Sequence, residues 1–240
     1  MKKLILTVLL ISSYAGWSQI NSATSSKKSN SPEFFVTANF GASFRLAKVS
    51  NDLDAQTKRH YKDMNKGTSI DLGLYFRHPY NGMAYGLKFN QYKASATNNF
   101  STIYDFDPVI YTYKLEGEIT MTFIAASFMK EEFFGKNNSQ SAGFEMSLGY
   151  YGYNEDEKYI EYGVKDNVKG ANLGISIGGF YQIQVVKGLF VGPNISFLGT
   201  ALRKFEATYS DGTTQTIKLD EENAESLWRF DLQLGAKYTF

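Results

Sequence analysis

The residues that could carry out chemistry lie in two segments, "AQTKRHYKDMNKG" and "FSTIYDFDPVIYTY". The first contains His60, and the second contains Ser101, Asp105 and Asp107. A hydroxyl nucleophile needs a base to accept its proton, and the base needs a carboxylate to orient it, so these residues include the parts of a hydrolytic triad. No spacing in the sequence links them, and polar segments of this length contain Ser and Asp by chance. We therefore predict no catalytic residue and no enzymatic activity.

Four acidic runs are candidates for metal binding, because carboxylate oxygens are the ligands that calcium prefers. A calcium loop of the EF-hand type needs its oxygens at fixed intervals, and that spacing is absent from the sequence. Solvated loop tips explain the runs more simply, so we predict no metal site and no cofactor. The runs are "DLD" at 52–54, "DFD" at 105–107, "NEDE" at 154–157 and "DEEN" at 220–223.

The composition excludes further classes of function. The 240 residues include no cysteine, which excludes thiol catalysis, cysteine metal sites, disulfides and a lipid-modified N-terminal cysteine. The charges balance at 25 basic and 24 acidic residues, so electrostatics gives no support to nucleic-acid binding. We predict no nucleic-acid partner.

The N-terminus has the layout of a secretory signal peptide. Lys2 and Lys3 precede an apolar run over 4–11, and small and polar residues follow it. That run is too short to cross a bilayer as a helix. We predict cleavage after Ser18, which removes 1–18, then a disordered polar lead-in over 19–32 and a single domain over 33–240.

The elements that must position all these side chains are β-strands. In the final segment, "LWRFDLQLGAKYTF", every second residue from Trp228 to Phe240 is apolar, and this period of two indicates a strand with one apolar face. Seven earlier segments alternate in the same way. In the fourth the pattern blurs after Ile124, which predicts a bulge or an early end. The eight predicted strands are 34–46, 69–77, 83–90, 115–123, 142–150, 172–183, 189–197 and 228–240.

The connections between these strands alternate between short and long. The long ones cover 49–67, 99–114, 154–170 and 199–226, and the short ones between them carry turn residues. An up-and-down meander therefore gathers every long loop at one end and both termini at the other. This pattern is typical of an outer-membrane β-barrel, and we predict an eight-stranded antiparallel up-and-down transmembrane β-barrel.

The polar face of the strands indicates which side faces outward. It uses Gly, Ser, Asn and Thr where a solvated surface would use Lys and Glu, and small residues fit the narrow lumen of an eight-stranded barrel. The alternative is a soluble barrel whose apolar face lines a ligand pocket. We predict a lumen filled by ion pairs that conducts poorly, with Arg45, Arg77, Lys88, Arg229 and Lys237 facing Asp71, Glu116, Glu118, Glu145 and Asp231.

The end of the chain carries a family resemblance. The segment "GAKYTF", with its outward aromatics and terminal Phe240, resembles the signal that the outer-membrane assembly machinery reads in bacterial barrel proteins. The signal-peptide ending "WSQ" and the Tyr- and Gly-rich strands resemble the PorT-like outer-membrane barrels of Bacteroidota, and the overall pattern resembles small OmpA- and OmpX-type barrels. The resemblance implies an integral outer-membrane protein whose partners are the assembly machinery, membrane lipid and lipopolysaccharide.

The resemblance and the loops together define the expected function. We predict a structural or adhesive role, or one accessory to an envelope or secretion system, through the long loops. The Tyr-rich segments either form a recognition surface or extend the barrel wall. The first alternative function is a narrow channel or carrier for small apolar molecules, with a lateral gap near 124–128 or Pro193. The second is a lipid-modifying enzyme that uses His60 at the rim, whereas His78 is predicted to be a solvated turn residue.

Overall fold

The computed structural model describes residues 33–47, 49, 53–79, 82–104, 107–220 and 224–240. The predicted signal peptide over 1–18 and the lead-in over 19–32 lie outside the described residues, as does Asp105. Among the residues that are described, no helix has the length and apolarity needed to cross a bilayer.

The described chain forms one α-helix and a succession of β-strands. Glycines with positive φ lie in the turns that follow five of the described strands, at Gly82, Gly135, Gly163, Gly188 and Gly212. In chain order the elements are β1 (Glu33–Arg45), α1 (Ala55–Asp63), β2 (Lys66–Arg77), β3 (Met83–Tyr104), β4 (Asp107–Phe134), β5 (Gln140–Tyr159), β6 (Val164–Val186), β7 (Leu189–Gly199), β8 (Ala201–Leu202), β9 (Lys204–Thr208), β10 (Thr214–Lys218), β11 (Glu225–Ser226) and β12 (Arg229–Thr239).

Eight of these strands close into a ring, which confirms the predicted barrel. Strands β1 to β7 pair in chain order, and β12 lies between β7 and β1, with every pairing antiparallel. The final strand is therefore bonded on both sides and is not a free edge. We call the end of the ring that holds Glu33 and Phe240 the terminal end, and the opposite end the loop end.

The wall is taller on one side than the sequence pattern predicts. Strands β3, β4, β5 and β6 contain 22, 28, 20 and 23 residues, so most of the predicted loops over 99–114 and 154–170 are strand. The Tyr-rich segments thus extend the wall, as one of the two alternatives predicted. The hairpin of β9 and β10 adds to this extension, because Val168 of β6 pairs with Ala207 of β9.

Side chains alternate between the two faces of the ring as predicted for seven of its strands. On β12, Leu234 is 64% exposed on the outer face, whereas the inward-facing Arg229 is fully buried. The band of exposed apolar side chains continues around the ring, with one example from each strand in Phe40, Leu72, Leu87, Ile124, Leu148, Ile177, Ile195 and Leu234.

Strand β4 is the exception, and two predictions about it were wrong. Its alternation runs without a register shift through Ile124 to Phe134, so there is neither a bulge nor an early end there. Near the loop end its apolar residues face inward, since Ile119 is fully buried while Glu118 is exposed. The strand keeps its parity throughout, but outside the apolar band the surrounding medium is water and the interior is a protein core. The polar side chains therefore face out there.

The interior is packed in layers from end to end. At the terminal end an apolar layer contains Phe35, Tyr75, Ala84, Met129 and Phe180. A polar layer lies above it at mid-height. At the loop end a larger apolar cluster fills the barrel under α1, and it consists of Met64, Tyr92, Ala94, Ala96, Ile119, Met121, Phe123, Ala125, Tyr151, Tyr153, Leu198, Leu202, Phe205 and Leu227.

The mid-height polar layer is a network of paired charges. Lys88 lies between two carboxylates, with its Nζ 3.0 Å from Asp71 and 3.1 Å from Glu145. Arg229 is paired with Asp231, with 3.3 Å between Nε and the carboxylate oxygen. All five side chains are nearly inaccessible to solvent. Pairing of this kind offsets the large cost of removing each charge from water.

The predicted set of ion pairs needs one correction. Glu116 and Glu118 face outward, where they pair with Lys114 and Lys93, because the parity of β4 was assigned the wrong way round. Glu131 of the same strand faces inward and supplies a carboxylate to the interior in their place. It accepts hydrogen bonds from both Arg77 and Lys237 near the terminal end.

Replacing Lys88 tests the energetics of the network. The Lys88→Met variant leaves two buried carboxylates without their shared cation, and we expect it to lower the free energy of unfolding by about 3–5 kcal/mol. Urea unfolding in detergent, followed by tryptophan fluorescence, measures this loss. The control is Lys165→Met, which removes the exposed pair of Lys165 with Asp156 and should cost at most about 1 kcal/mol. Equal losses in the two variants would contradict the network.

The inverted face of β4 has a direct chemical test, because the chain contains no cysteine. We expect a single thiol in Glu118→Cys to react with a water-soluble maleimide as fast as an unfolded thiol. In Ile119→Cys the thiol points into the core and should react only after unfolding. If the thiol of Ile119→Cys reacted faster than that of Glu118→Cys, the orientation predicted from the sequence would be correct instead.

Candidate functional site

The helix α1 closes the loop end and is the first element of the candidate site. It begins at a capping residue, because the Asp54 carboxylate accepts hydrogen bonds from the backbone N–H groups of Gln56 at 2.8 Å and Thr57 at 3.0 Å. Its outer surface is basic, with Arg59 and Lys62 exposed. The helix thus covers the apolar cluster and presents positive charge outward.

His60 points down from α1 into the barrel and is fully buried. Its Nδ1 lies 2.7 Å from Asn98 Oδ1, and its ring packs edge-on against Phe100 with 5.8 Å between centroids. The Nε2 atom is enclosed: a β-carbon at Gly117 would lie only 2.6 Å from it. A glycine is therefore required at position 117, and the imidazole is part of the packing under the helix.

Of the predicted triad components, Asp105 and the side chain of Asp107 lie outside the described residues, and the structure places His60 and Ser101 in different surroundings. Ser101 is exposed, and its backbone N–H donates to Gln56 Oε1 at 2.8 Å, while His60 contacts Asn98. A buried imidazole is poorly placed to take a proton from a rim hydroxyl. His78 is half-buried in the turn between β2 and β3, at the terminal end.

The described residues of two of the four acidic runs have separate structural roles, whereas 105 and 221–223 in the other two runs lie outside the described residues. Asp54 caps α1, and Asp156 faces outward, where it is 3.1 Å from Lys165. Its neighbours Glu155 and Glu157 point inward instead and accept hydrogen bonds from tyrosines. Among the described residues, no group of three or more His, Cys, Asp or Glu side chains is arranged to hold a metal ion.

The inward-facing carboxylates form an acidic wall beside α1. The hydroxyl of Tyr61 donates to Glu157 at 3.2 Å, and that of Tyr153 donates to Glu155. Burial, and then the nearby charge of Glu155, raise the pKa of Glu157. Burial also raises the pKa of Glu225, although Arg45, 3.7 Å away, opposes the rise. These groups therefore destabilise the loop end when they are ionised.

Tyrosines stiffen the extended wall next to this acidic group. Tyr113 stacks on Phe100 with 5.4 Å between ring centroids, and it contacts Tyr159 at 5.8 Å and Tyr162 at 6.3 Å. These rings join β3, β4 and the turn after β5. The tyrosines that the sequence pattern places in loops thus hold the strand tips together.

At the loop end, buried tyrosines join the described elements to the packed interior. The helix is tied to the core through Tyr92, whose hydroxyl donates to the Met64 carbonyl at 2.8 Å. On the other side, Tyr151 donates to the Leu227 carbonyl at 3.2 Å. Sequence reasoning missed α1 and the β9–β10 hairpin. The capping Asp54, followed by His60 and Met64 four residues apart, is the signal that could have revealed the helix.

Comparisons with known proteins show a similarity of fold alone. No protein-family model matches the sequence, and no curated protein matches it. A major outer membrane protein from Thermus thermophilus matches with a TM-score of 0.55 at 11% identity, over 88% of this chain and 100% of that one. Neisserial surface protein A matches with a TM-score of 0.48 at 10% identity, over 86% and 97%. The outer membrane protease OmpT from Escherichia coli matches with a TM-score of 0.49 at 10% identity, over 91% and 100%.

The raised pKa values predict a pH response at the loop end. Because the folded state raises the pKa of Glu157 and Glu225 above their ordinary 4.5, it binds protons more tightly than the unfolded state. The loop end should therefore gain stability as the pH falls from neutral toward 4.5 and lose it as the pH rises again. Amide hydrogen exchange in β5 and β6, corrected for the intrinsic rate, measures the change.

Two variants with opposite expected effects on amide exchange test the cause of this response. Glu157→Gln keeps an acceptor for Tyr61, and we expect it to slow exchange at neutral pH and to flatten the pH dependence. Hydrogen bonds from Lys165 and Asn167 hold the pKa of Asp156 below its ordinary value even though burial opposes them. Asp156→Asn should therefore speed exchange at neutral pH. If both variants slowed amide exchange, or both accelerated it, the pH response could not be assigned to Glu157.

Proposed function

We propose that this chain is an integral outer-membrane protein without enzymatic activity, which acts by presenting its rigid loop end to partners outside the cell. The observation that carries the proposal is the filled interior. Side chains pack the barrel in three successive layers, two apolar and one of paired charges. A barrel filled in this way supports a surface at one end better than it supports transport through the middle.

The outer face supports membrane residence. It carries apolar side chains on every strand of the ring, and a protein in water would have to expose all of them. Aromatic residues lie toward the two edges of this band, with Trp228 stacked on Phe197 near the loop end and Tyr238 packed edge-on against Phe240 at the terminal end. The predicted signal peptide is consistent with export.

The end of the chain supports recognition by the outer-membrane assembly machinery. The N–H group of Phe240 donates to the Phe34 carbonyl at 3.1 Å, so the terminal aromatic lies at the rim beside the first strand. The resemblance to PorT-like proteins extends the proposal to a role accessory to a secretion or envelope system. Membrane lipid and lipopolysaccharide are the partners proposed along the wall.

The lack of enzymatic activity remains part of this proposal. The burial of His60 under α1 and the exposure of Ser101 support it. A lipid-modifying enzyme of this shape would need a base that reaches the rim.

One observation favours the alternative of a carrier for small apolar molecules. The ladder between β6 and β7 is interrupted between the pairs Phe180–Asn194 and Ile183–Val191, and Pro193 is one of the β7 residues within the interruption. A groove of about 420 Å³ opens on the outer face there, beside Gly179 and Ile195. An apolar molecule could lie in this groove along the wall, but the packed interior offers it no continuation.

Three measurements on the full chain test the proposal together. In SDS without heating, we expect the detergent-extracted protein to keep a folded band that shifts on boiling. In planar bilayers, we expect no steady ion current. In intact cells, a membrane-impermeant maleimide should label Glu118→Cys but not Glu132→Cys, which is exposed at the terminal end, until the outer membrane is permeabilised. A steady current would overturn the filled lumen, and labelling of both thiols would overturn the orientation.

A further inference from the structure

The outer wall changes from apolar to polar within one step along β4, β5 and β6. Ile124, Tyr150 and Leu173 lie side by side on these strands, by the register of the two ladders. The next outward row toward the loop end contains only small side chains, namely Thr122, Gly152 and Ala171. The row after that consists of Thr120, Asn154 and Lys169.

A groove of about 420 Å³ lies over the two upper rows. The small residues form its floor, and the exposed Tyr150 stands at its lower edge. The tyrosine ring leans toward the groove, since a β-carbon at Gly152 would lie 3.1 Å from its Cε1 atom. Lys169 and Glu206 stand on the opposite side, where β6 pairs with β9.

The lining has the chemistry that a phosphorylated sugar needs. An aromatic face packs against the C–H groups of a sugar ring, while amide, hydroxyl and carboxylate groups bond to its hydroxyls. In this groove Tyr150 supplies the ring, Thr122 and Glu206 supply polar partners, and Lys169 supplies a cation for phosphate. Two other acidic side chains above the groove are already paired with lysines, Glu118 with Lys93 and Asp156 with Lys165.

We propose that this groove binds the phosphorylated sugar headgroup of an outer-leaflet glycolipid, an inference that rests on the proposed membrane residence. The position of the groove selects a lipid over a soluble ligand. Directly below Tyr150 the wall continues with the exposed Leu148 and Ile175, against which acyl chains of the same molecule can lie. An interfacial tyrosine with a basic group above it is a suitable arrangement for a lipid whose headgroup is anionic.

The binding experiment uses the full chain in detergent and lipopolysaccharide as the probe, with native mass spectrometry as the readout. We expect Lys169→Ala to weaken binding about tenfold, the effect of losing one charge-assisted contact. Ala171→Leu should weaken it by filling the floor of the groove. The matched control is Lys165→Ala, an exposed lysine on the same strand and face that lies outside the groove. Equal loss in the two lysine variants would overturn the proposal.

Two further probes distinguish the sources of the headgroup. Dephosphorylated lipopolysaccharide should bind wild type and Lys169→Ala alike. The water-soluble headgroup, released from its acyl chains, should bind far more weakly than the intact lipid, and equally tight binding would overturn the assignment to a lipid. Each variant is also run in SDS with and without heating. A heat-dependent shift without selective lipid binding refutes this inference alone, whereas the loss of the shift in wild type refutes the proposed function.

Discussion

The requirement that every charge inside a narrow barrel be paired governs this structure. Lys88 holds Asp71 and Glu145 together between three different strands, and Arg229 is paired with Asp231 on its own strand. A slip of one residue in the register of β2, β3, β5 or β12 would move its charges to the outer face and bring apolar side chains inside. The network therefore favours one register for these four strands.

The side chains on the inner and outer faces of the wall have different surroundings. The inner face is always covered by other side chains, so both the polar layer and the two apolar layers are compatible with it. The outer face is apolar only within a band, and beyond that band it carries Thr, Asn, Lys and Glu. Strand β4 crosses both regions without a change of parity, which makes its apolar residues face outward at Ile124 and inward at Ile119.

The fold was largely predictable because a period of two is a local signal. From neighbouring residues alone, this alternation identified the ring strands. It also showed which side chains of β12 face outward and that Lys88 and Arg229 face inward. The facing of β4 near the loop end was not predictable in this way, since alternation does not reveal which medium lies on each side. Glu131 was missed as the partner of Arg77 because the predicted fourth strand ends at 123, whereas the strand continues to Phe134. The nine-residue helix α1 lacks a run of apolar residues, and only its contacts in the barrel hold His60 inside.

Closure of the ring constrains the order in which the strands can pair. Residues near the two ends of the domain are bonded to each other, with Phe35 opposite Thr239 and Arg45 opposite Arg229. Such pairs are the slowest to form, because almost the whole chain must be present before they can meet. A chain that stops before β12 is left with two open edges, on β1 and β7, each able to add a strand from another molecule. The strand that closes the ring thus also protects the polypeptide from its own copies.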